Sequence, residues 1–192
     1  WSTGTGVYKV DEFVLDGDEY TADWSAGTDG WGVTRGTHTG NIDGITDDNG
    51  SSRDNCIKFY ANSESGSHNI DRGAIITIGK RYRWEYVFLI PSTNTNCNQI
   101  HVRNIGDSLL VETSVGVWTS GFAEFTATSV GLRFEEYKNG SWNFAGADDE
   151  NDDIIYISET NVFEILPLPK FYTGTKYLEN TSDGTLAIPS KQ

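Results

Sequence analysis

Several residue types are scarce in this chain of 192 residues. There is no methionine, and the two cysteines allow at most one disulfide and show no Cys-x-x-Cys or His/Cys spacing typical of zinc or redox sites. Lysine and arginine together number 14 against 28 acidic residues, which gives a formal charge of −14. Such a charge opposes the capture of phosphate backbones and anionic lipids, so nucleic acid is not an expected ligand.

Long apolar runs are missing as well. The longest, residues 86–90, is far shorter than the roughly 18 residues needed to cross a bilayer, so we expect no insertion into a membrane. No basic and then apolar signal segment opens the chain. Because residue 1 is Trp and the chain lacks Met, we expect a processed chain or a part of a larger protein.

Glycine and aromatic residues are plentiful, by contrast, with 21 glycines and 12% Phe, Trp and Tyr. Helical periodicity is almost absent, and turn signals such as Asn-Gly and Asp-Gly recur about every dozen residues. This spacing is typical of antiparallel strands rather than of alternating strands and helices. The sequence therefore predicts an all-β fold built from two packed antiparallel sheets, a β-sandwich.

The clearest strand covers residues 82–90. Because side chains alternate between the two faces of a strand, one apolar face is predicted to point into the core; it comprises Tyr82, Trp84, Tyr86, Phe88 and Ile90. Arg83 and Glu85 lie on the opposite, wet face of that strand, where we count them as candidate ligand-binding residues.

Further strands are predicted from shorter patterns, at 7–15, 55–61, 67–70, 74–78, 99–104, 108–112, 121–127, 130–138, 141–145 and 154–165. A type I′ hairpin is predicted at Asn139–Gly140, where both residues tolerate a positive φ. Residues 28–54 are rich in Gly, Asp, Asn, Thr and Ser and are predicted to be a long loop on a ligand rim.

Four segments together resemble one family of sandwich domains. Residues 21–31 (TADWSAGTDGW), 75–84 (IITIGKRYRW), 121–134 (GFAEFTATSVGLRF) and 155–163 (IYISETNVF) resemble, in order and spacing, the galactose-binding-like jelly rolls of carbohydrate-binding modules of families 4, 9 and 22. The resemblance implies a jelly-roll sandwich over 21–166, preceded by an N-terminal strand or lead-in over 1–20 and followed by a Pro-containing connector over 167–192.

The resemblance also implies a structural calcium site at the two ends of the matched region. The candidate ligands are Asp23 and Glu159. The sequence departs from the family pattern at both ends, with Thr21-Ala22 in place of Asn-Gly and Ser158 in place of an Asp. The same pattern, with the tail 176–192, is also similar to domains of tailed-phage virion and fibre proteins.

A carbohydrate-binding module needs exposed aromatic rings that stack on sugars and polar groups that bind hydroxyls. The candidate stacking residues are Trp31, Trp118 and Trp142, with Asp43 as an acidic hydrogen-bonding candidate. For Trp31 the alternative is a plug at the bottom of the sandwich, and for Trp142 it is cross-strand packing on Tyr137.

No catalytic constellation stands out, so we expect a binding module and not an enzyme. Cys56 and Cys97 lie in or beside predicted strands, and both a disulfide and two isolated thiols are compatible with the sequence. The function that the resemblance implies is binding of a glycan or cell-surface polysaccharide, outside the cell or on a virion surface. The alternative is an assembly domain that contacts copies of itself or other virion subunits.

Overall fold

The computed structural model describes residues 13–60, 68–137, 153–167, 179–180 and 186–187. These residues form one 3-10 turn and fifteen strands, which we number in chain order: β1 (Phe13–Thr21), β2 (Gly32–Arg35), β3 (Thr37–Ile42), β4 (Ile45–Thr46), β5 (Ser52–Arg53), β6 (Cys56–Tyr60), β7 (Asn69–Arg72), β8 (Arg81–Leu89), β9 (Gln99–Asn104), β10 (Asp107–Glu112), β11 (Thr119–Thr126), β12 (Leu132–Tyr137), β13 (Ile154–Pro167), β14 (Glu179–Asn180) and β15 (Leu186–Ala187). The 3-10 turn is Trp24–Ala26.

Two large sheets, with every strand pair antiparallel, make the body of the protein. The first sheet has the order β11-β8-β13-β6-β3, with β1 also paired to β13, and the second has the order β10-β9-β12-β7-β2. Two small sheets, β4-β5 and β14-β15, complete the described structure. The predicted all-β, two-sheet sandwich is therefore confirmed.

Strand β13 organises the first sheet, because three other strands pair with it. One of its edges pairs with β8. On the other edge, residues 154–157 pair with β6 and residues 161–167 pair with β1. The register with β8 shifts between Ile157 and Glu159, so Ser158 forms a β-bulge in the middle of the strand.

The core between the sheets is rich in aromatic rings. Trp84 of the first sheet packs on Phe134 of the second, with ring centroids 4.6 Å apart. Trp31 stacks on the same Phe134 ring at 5.5 Å. The alternating face predicted for residues 82–90 is buried, as expected. Aromatic contacts between the two sheets thus add specific ring interactions to the burial of apolar surface.

Two predictions about local structure are wrong. Residues 74–78 form bends and a turn instead of a strand, and Ala74 has a φ of 58°, outside the β region. Residues 28–54 are not one long loop, because they contain β2, β3 and the β4-β5 hairpin. The hairpin predicted at Asn139–Gly140 lies outside the described residues.

The two cysteines are not bridged. Cys56 and Cys97 are both buried free thiols. Burial raises the pKa of the Cys56 thiol to about 12 and raises that of Cys97 well above its ordinary value. Of the two alternatives that the sequence left open, the structure has two isolated thiols.

Candidate functional site

The outer face of the first sheet carries a groove of about 290 Å³. Its lining comes from the three neighbouring strands β11, β8 and β13, and comprises Arg83, Glu85, Tyr86, Val87, Ser120, Gly121, Phe122, Glu159 and Asn161. The predicted binding residues Arg83 and Glu85 and the predicted calcium ligand Glu159 therefore lie together, although the sequence suggested different roles for them.

The strand registers arrange the groove side chains in two rows. In one row, Phe122 is opposite Glu85, and Glu85 is opposite Asn161. Adjacent strands are about 4.8 Å apart, so three side chains in a row span about 10 Å. Two residues along, the second row comprises Ser120, Val87 and Glu159. The groove therefore presents an aromatic ring at one side and an amide and a carboxylate at the other.

Phe122 is the exposed aromatic side chain of the groove, with 52% of its surface accessible. The Arg83 guanidinium lies over its ring, 4.1 Å from the centroid. The Nε of Arg83 donates to Glu85 Oε1 at 2.6 Å. A cation over an aromatic face is attracted to the ring quadrupole, so this contact holds both side chains in place.

A glycine lies under the groove, on the opposite face of β11. Gly121 faces inward, where an added Cβ would come within 2.5 Å of the Tyr86 ring and 2.6 Å of Glu112 Oε1. The space left by the missing side chain lets the Tyr86 hydroxyl donate to Glu112 at 2.7 Å. Burial and this carboxylate raise the pKa of Tyr86, which keeps the phenol protonated as a donor.

An ion pair closes the end of the groove at β13. Glu159 accepts a hydrogen bond from the guanidinium of Arg53, a residue of the β4-β5 hairpin. The same guanidinium lies 5.6 Å from the centre of the Trp118 ring. Trp118 is half-buried, and its Nε1 donates to the carbonyl of Ile45 at 3.3 Å. The predicted ligand-binding Trp118 is therefore beside the groove and connected to it through Arg53.

The other predicted stacking residues are not in the groove. Trp31 is 1% exposed and packs between Trp24 and Phe134 in the core, so the prediction that it stacks on a sugar is wrong and its alternative, a core plug, is confirmed. The Trp31 indole donates to the Tyr20 hydroxyl at 2.9 Å, which satisfies its polar atom. Trp142 lies outside the described residues.

Asp43 has a role in a turn. Its Oδ1 accepts from the backbone N–H of Asn55 at 2.9 Å, while Asp54 Oδ1 accepts from Gly44 at 2.8 Å. This reciprocal pair of carboxylates ties together the two ends of the β4-β5 hairpin. Asp43 does not line the groove. Its assignment as a ligand-binding residue stays a prediction without support from its position.

The two predicted calcium ligands have protein partners of their own. Asp23 Oδ1 accepts from the backbone N–H of Ser25 at 3.0 Å and from its hydroxyl at 2.6 Å, and these bonds lower the Asp23 pKa. Glu159 is paired with Arg53. Within the described part of the chain, no group of three or more Asp, Glu, His or Cys residues is arranged to hold a metal ion. Calcium binding stays a prediction.

The groove brings two carboxylates into one cleft, which is also the minimum that glycosidase chemistry needs. Glu85 and Glu159, however, each form an ion pair with an arginine. A carboxylate paired with a guanidinium is already engaged as a hydrogen-bond acceptor. The arrangement is thus suited to holding hydroxyl groups of a ligand.

The predicted site residues did not include the groove residues Ser120, Asn161 and Phe122. Phe122 is the exposed aromatic ring among them. It was part of a predicted strand, but its face was not assigned. In the run Gly121-Phe-Ala-Glu-Phe125, the small and aromatic residues at odd positions face the core and the even positions face out. The same period of two that identified the core face of β8 would have placed Phe122 beside Glu124 on the wet face.

Comparison with known proteins bears on the fold. No protein-family model matches the chain, and no curated protein matches its sequence. The tandem CBM22-1–CBM22-2 domains of Paenibacillus barcinonensis Xyn10C match it with a TM-score of 0.55 and 14% identity, over 77% of this chain and 50% of that one. The CBM22-1 xylan-binding domain of the same Xyn10C matches with a TM-score of 0.51 and 9% identity, over 81% of this chain and 97% of that one.

A third match is the K1 cleaved adhesin domain of Lys-gingipain from Porphyromonas gingivalis W83. It has a TM-score of 0.52 and 13% identity, and the match covers 74% of this chain and 96% of that one. At such low identities these likenesses show a shared fold. They confirm the jelly-roll fold of carbohydrate-binding modules that the sequence resemblance implied, while the resemblance to phage virion domains stays a prediction.

No helix in the described residues is long and apolar enough to span a bilayer.

Proposed function

We propose that this protein is a non-catalytic carbohydrate-binding module, and that the groove of β11, β8 and β13 is its glycan site. One observation carries the proposal: an exposed Phe122 ring stands opposite Asn161 across a groove that also presents Glu85 and Glu159. Apolar surface beside a few convergent polar groups is the usual composition of a site for a small ligand.

The groove supplies the two kinds of contact that a sugar needs. The Phe122 ring offers an apolar surface for the C–H face of a pyranose ring. Glu85, Glu159 and Asn161 offer acceptors, and the Asn161 amide also offers donors, for hydroxyl groups. Among the described residues, neither Asn161 nor Ser120 has a side-chain hydrogen bond to the protein, so both are available to a ligand.

Two of the structural neighbours support the same function. Both come from the Paenibacillus Xyn10C protein, and one of them is named as a xylan-binding domain. A module that binds polysaccharide acts where polysaccharide is found, so we expect this protein outside the cell. The alternative role, an assembly domain that contacts copies of itself or virion subunits, stays a prediction that sedimentation would test.

Affinity electrophoresis in gels that contain soluble polysaccharides tests the proposal. Wild type should be retarded by at least one polysaccharide, and Phe122→Ala should lose most of that retardation, because a stacking ring contributes about 0.5–1.5 kcal/mol beyond its buried area. The matched control is Ile78→Ala, which removes another apolar side chain, 60% exposed, away from the groove. Equal retardation of wild type and Phe122→Ala would remove the groove from the proposal.

A further inference from the structure

The charged groups of the groove restrict the class of glycan that it can accept. Arg83 is committed to two carboxylates, because its Nε donates to Glu85 at 2.6 Å and its Nη1 lies 3.5 Å from Glu124 Oε1. Its planar group also covers one face of Phe122. This guanidinium is therefore already neutralised within the protein.

The second guanidinium at the groove is neutralised in the same way. Arg53 pairs with Glu159 and lies against the Trp118 ring. The side chains of Arg53 and Glu159 are 34% and 52% exposed, so the pair is at the surface and within reach of a ligand. Arg53 thus has one carboxylate partner, while Arg83 has two.

From this arrangement, and resting on the proposed glycan function, we infer that the groove selects uncharged glycan segments and rejects segments that carry carboxylate or sulfate groups. An anionic sugar that bound a remaining N–H of either arginine would place its charge beside Glu85 or Glu159, and one that displaced either carboxylate would leave that carboxylate unpaired beside a like charge. The formal charge of −14 on the whole chain adds a repulsion that acts over a longer range.

Hydroxyl groups fit the same lining without breaking an ion pair. A hydroxyl both donates and accepts, so it can donate to a carboxylate lone pair that the arginine leaves free and accept from a remaining guanidinium N–H. Each carboxylate oxygen has more than one acceptor position, and each guanidinium has five donors. A neutral polyol can therefore use all the polar groups of the groove at once.

Matched pairs of polysaccharides test this inference with one backbone in two charge states. Suitable pairs are hydroxyethylcellulose with carboxymethylcellulose, and carboxyl-reduced polygalacturonate with polygalacturonate itself. In affinity electrophoresis, the neutral polysaccharide of a pair should retard wild type. The anionic polysaccharide of the same pair should bind about tenfold more weakly or worse, because a like-charge contact costs several kcal/mol. Mobility is compared with that of an acidic protein that binds no glycan.

Two variants distinguish the effect of the groove carboxylates on glycan binding from the effect of the overall charge. Glu159→Gln removes one carboxylate of the groove and frees Arg53, so it should gain affinity for the anionic member. Glu164→Gln makes the same change in net charge but frees Lys80, outside the groove lining, and should behave as wild type does.

Failure of this inference and failure of the proposed function give different results. Equal or tighter binding of wild type to the anionic members would overturn the inference while leaving the glycan function in place, as would an equal gain in the two variants. Retardation by no member of any pair would overturn the proposed function, and the inference with it.

Discussion

The indole Nε1 of Trp84 donates a hydrogen bond to the Thr160 hydroxyl at 2.7 Å, inside the core and directly behind the groove. Trp84 is on β8, and Thr160 lies between two groove residues of β13, Glu159 and Asn161. The buried bond therefore fixes the backbone that carries one wall of the site. Core packing and the geometry of the groove are coupled at this point.

Removing the Thr160 acceptor should destabilise the protein. Thr160→Val keeps the size of the side chain but leaves the buried Trp84 N–H without a partner, which costs about 1–3 kcal/mol. Unfolding in urea, followed by tryptophan fluorescence, measures the loss. Thr160→Ser removes the methyl group but keeps the hydroxyl, so it should stay much closer to wild type. A loss for Thr160→Ser as large as that for Thr160→Val, or larger, would contradict a dominant role of the hydrogen bond.

A methyl group at Gly121 should be poorly tolerated. The new Cβ would overlap the Tyr86 ring at 2.5 Å, so β11 or the ring must move, and overpacking of this kind costs about 1–3 kcal/mol. The control is Gly32→Ala, also in a strand, where the added Cβ has no atom within 4 Å. Thermal unfolding of the two variants should differ clearly, and a Gly121→Ala melting temperature equal to that of Gly32→Ala would contradict the clash.

A buried acid should make stability depend on pH. Glu136 is fully buried, neither of its carboxyl oxygens has a hydrogen-bond partner among the described residues, and burial followed by the charge of Asp153 raises its pKa. His68 Nδ1 lies 3.9 Å from Glu136 Oε2, and the Cys97 thiol is also close enough for Glu136 to raise its pKa.

The raised pKa of Glu136 determines how the stability of the protein changes with pH. The folded protein keeps the Glu136 proton to a higher pH than the unfolded chain does, so this contribution to stability is complete below the ordinary pKa of 4.5 and is lost as the pH rises through the folded value. Glu136→Gln cannot ionise, so its free energy of unfolding relative to wild type should increase with pH, by up to about 1.4 kcal/mol per pH unit.

Urea unfolding of Glu136→Gln and wild type from pH 4 to pH 8 measures this difference. Glu19→Gln, an exposed position, makes the same change in charge and should show little trend. A constant difference between Glu136→Gln and wild type across the range would mean that Glu136 does not titrate as its burial implies.

The two cysteines should react as buried thiols. Because burial raises the pKa values of both Cys56 and Cys97, little thiolate is present at neutral pH, and a thiol reagent should label the native protein slowly. In denaturant without a reductant, two thiols should react for each chain. Finding none would mean that a disulfide forms after all.

The parts of the fold that the sequence predicted well are those with a strong alternating pattern. Residues 82–90 alternate large apolar and polar side chains, and the face containing Trp84 and Phe88 is buried as expected. Strand β9 begins and ends at the predicted residues, Gln99 and Asn104. In these segments, local propensity and burial favour the same structure.

The errors occur where composition and tertiary pairing disagree. Strand β3 has the sequence Thr-His-Thr-Gly-Asn-Ile, which reads as a loop, and it becomes a strand because it pairs with β6. The apolar run 74–78 reads as a strand, yet Ile76 is buried while Ile78 is 60% exposed at a turn. A short apolar run does not show enough periodicity to distinguish a strand from a turn.

The groove could be predicted only in part. Arg83 and Glu85 were identified from the wet face of one strand. Their proximity to Glu159 arises because β8 and β13 are neighbours in the sheet, and the pattern of a single strand does not predict its neighbours. Trp31 was misassigned because a Gly-Trp turn has the same sequence whether the indole points to solvent or into the core.

The bulge residue Ser158 determines which side chains of the following part of β13 face solvent. Before it, the odd-numbered Ile155 and Ile157 point inward; after it, the even-numbered Thr160 and Val162 do. If Ser158 occupied a regular paired position instead of a bulge, the following segment would turn its other side to the core, placing Glu159 among the indoles and Val162 in water. The proposed ligand recognition on this sheet thus depends on a phase offset of one amino acid, and pairing Ser158 in regular register would abolish it even though every recognition side chain were retained.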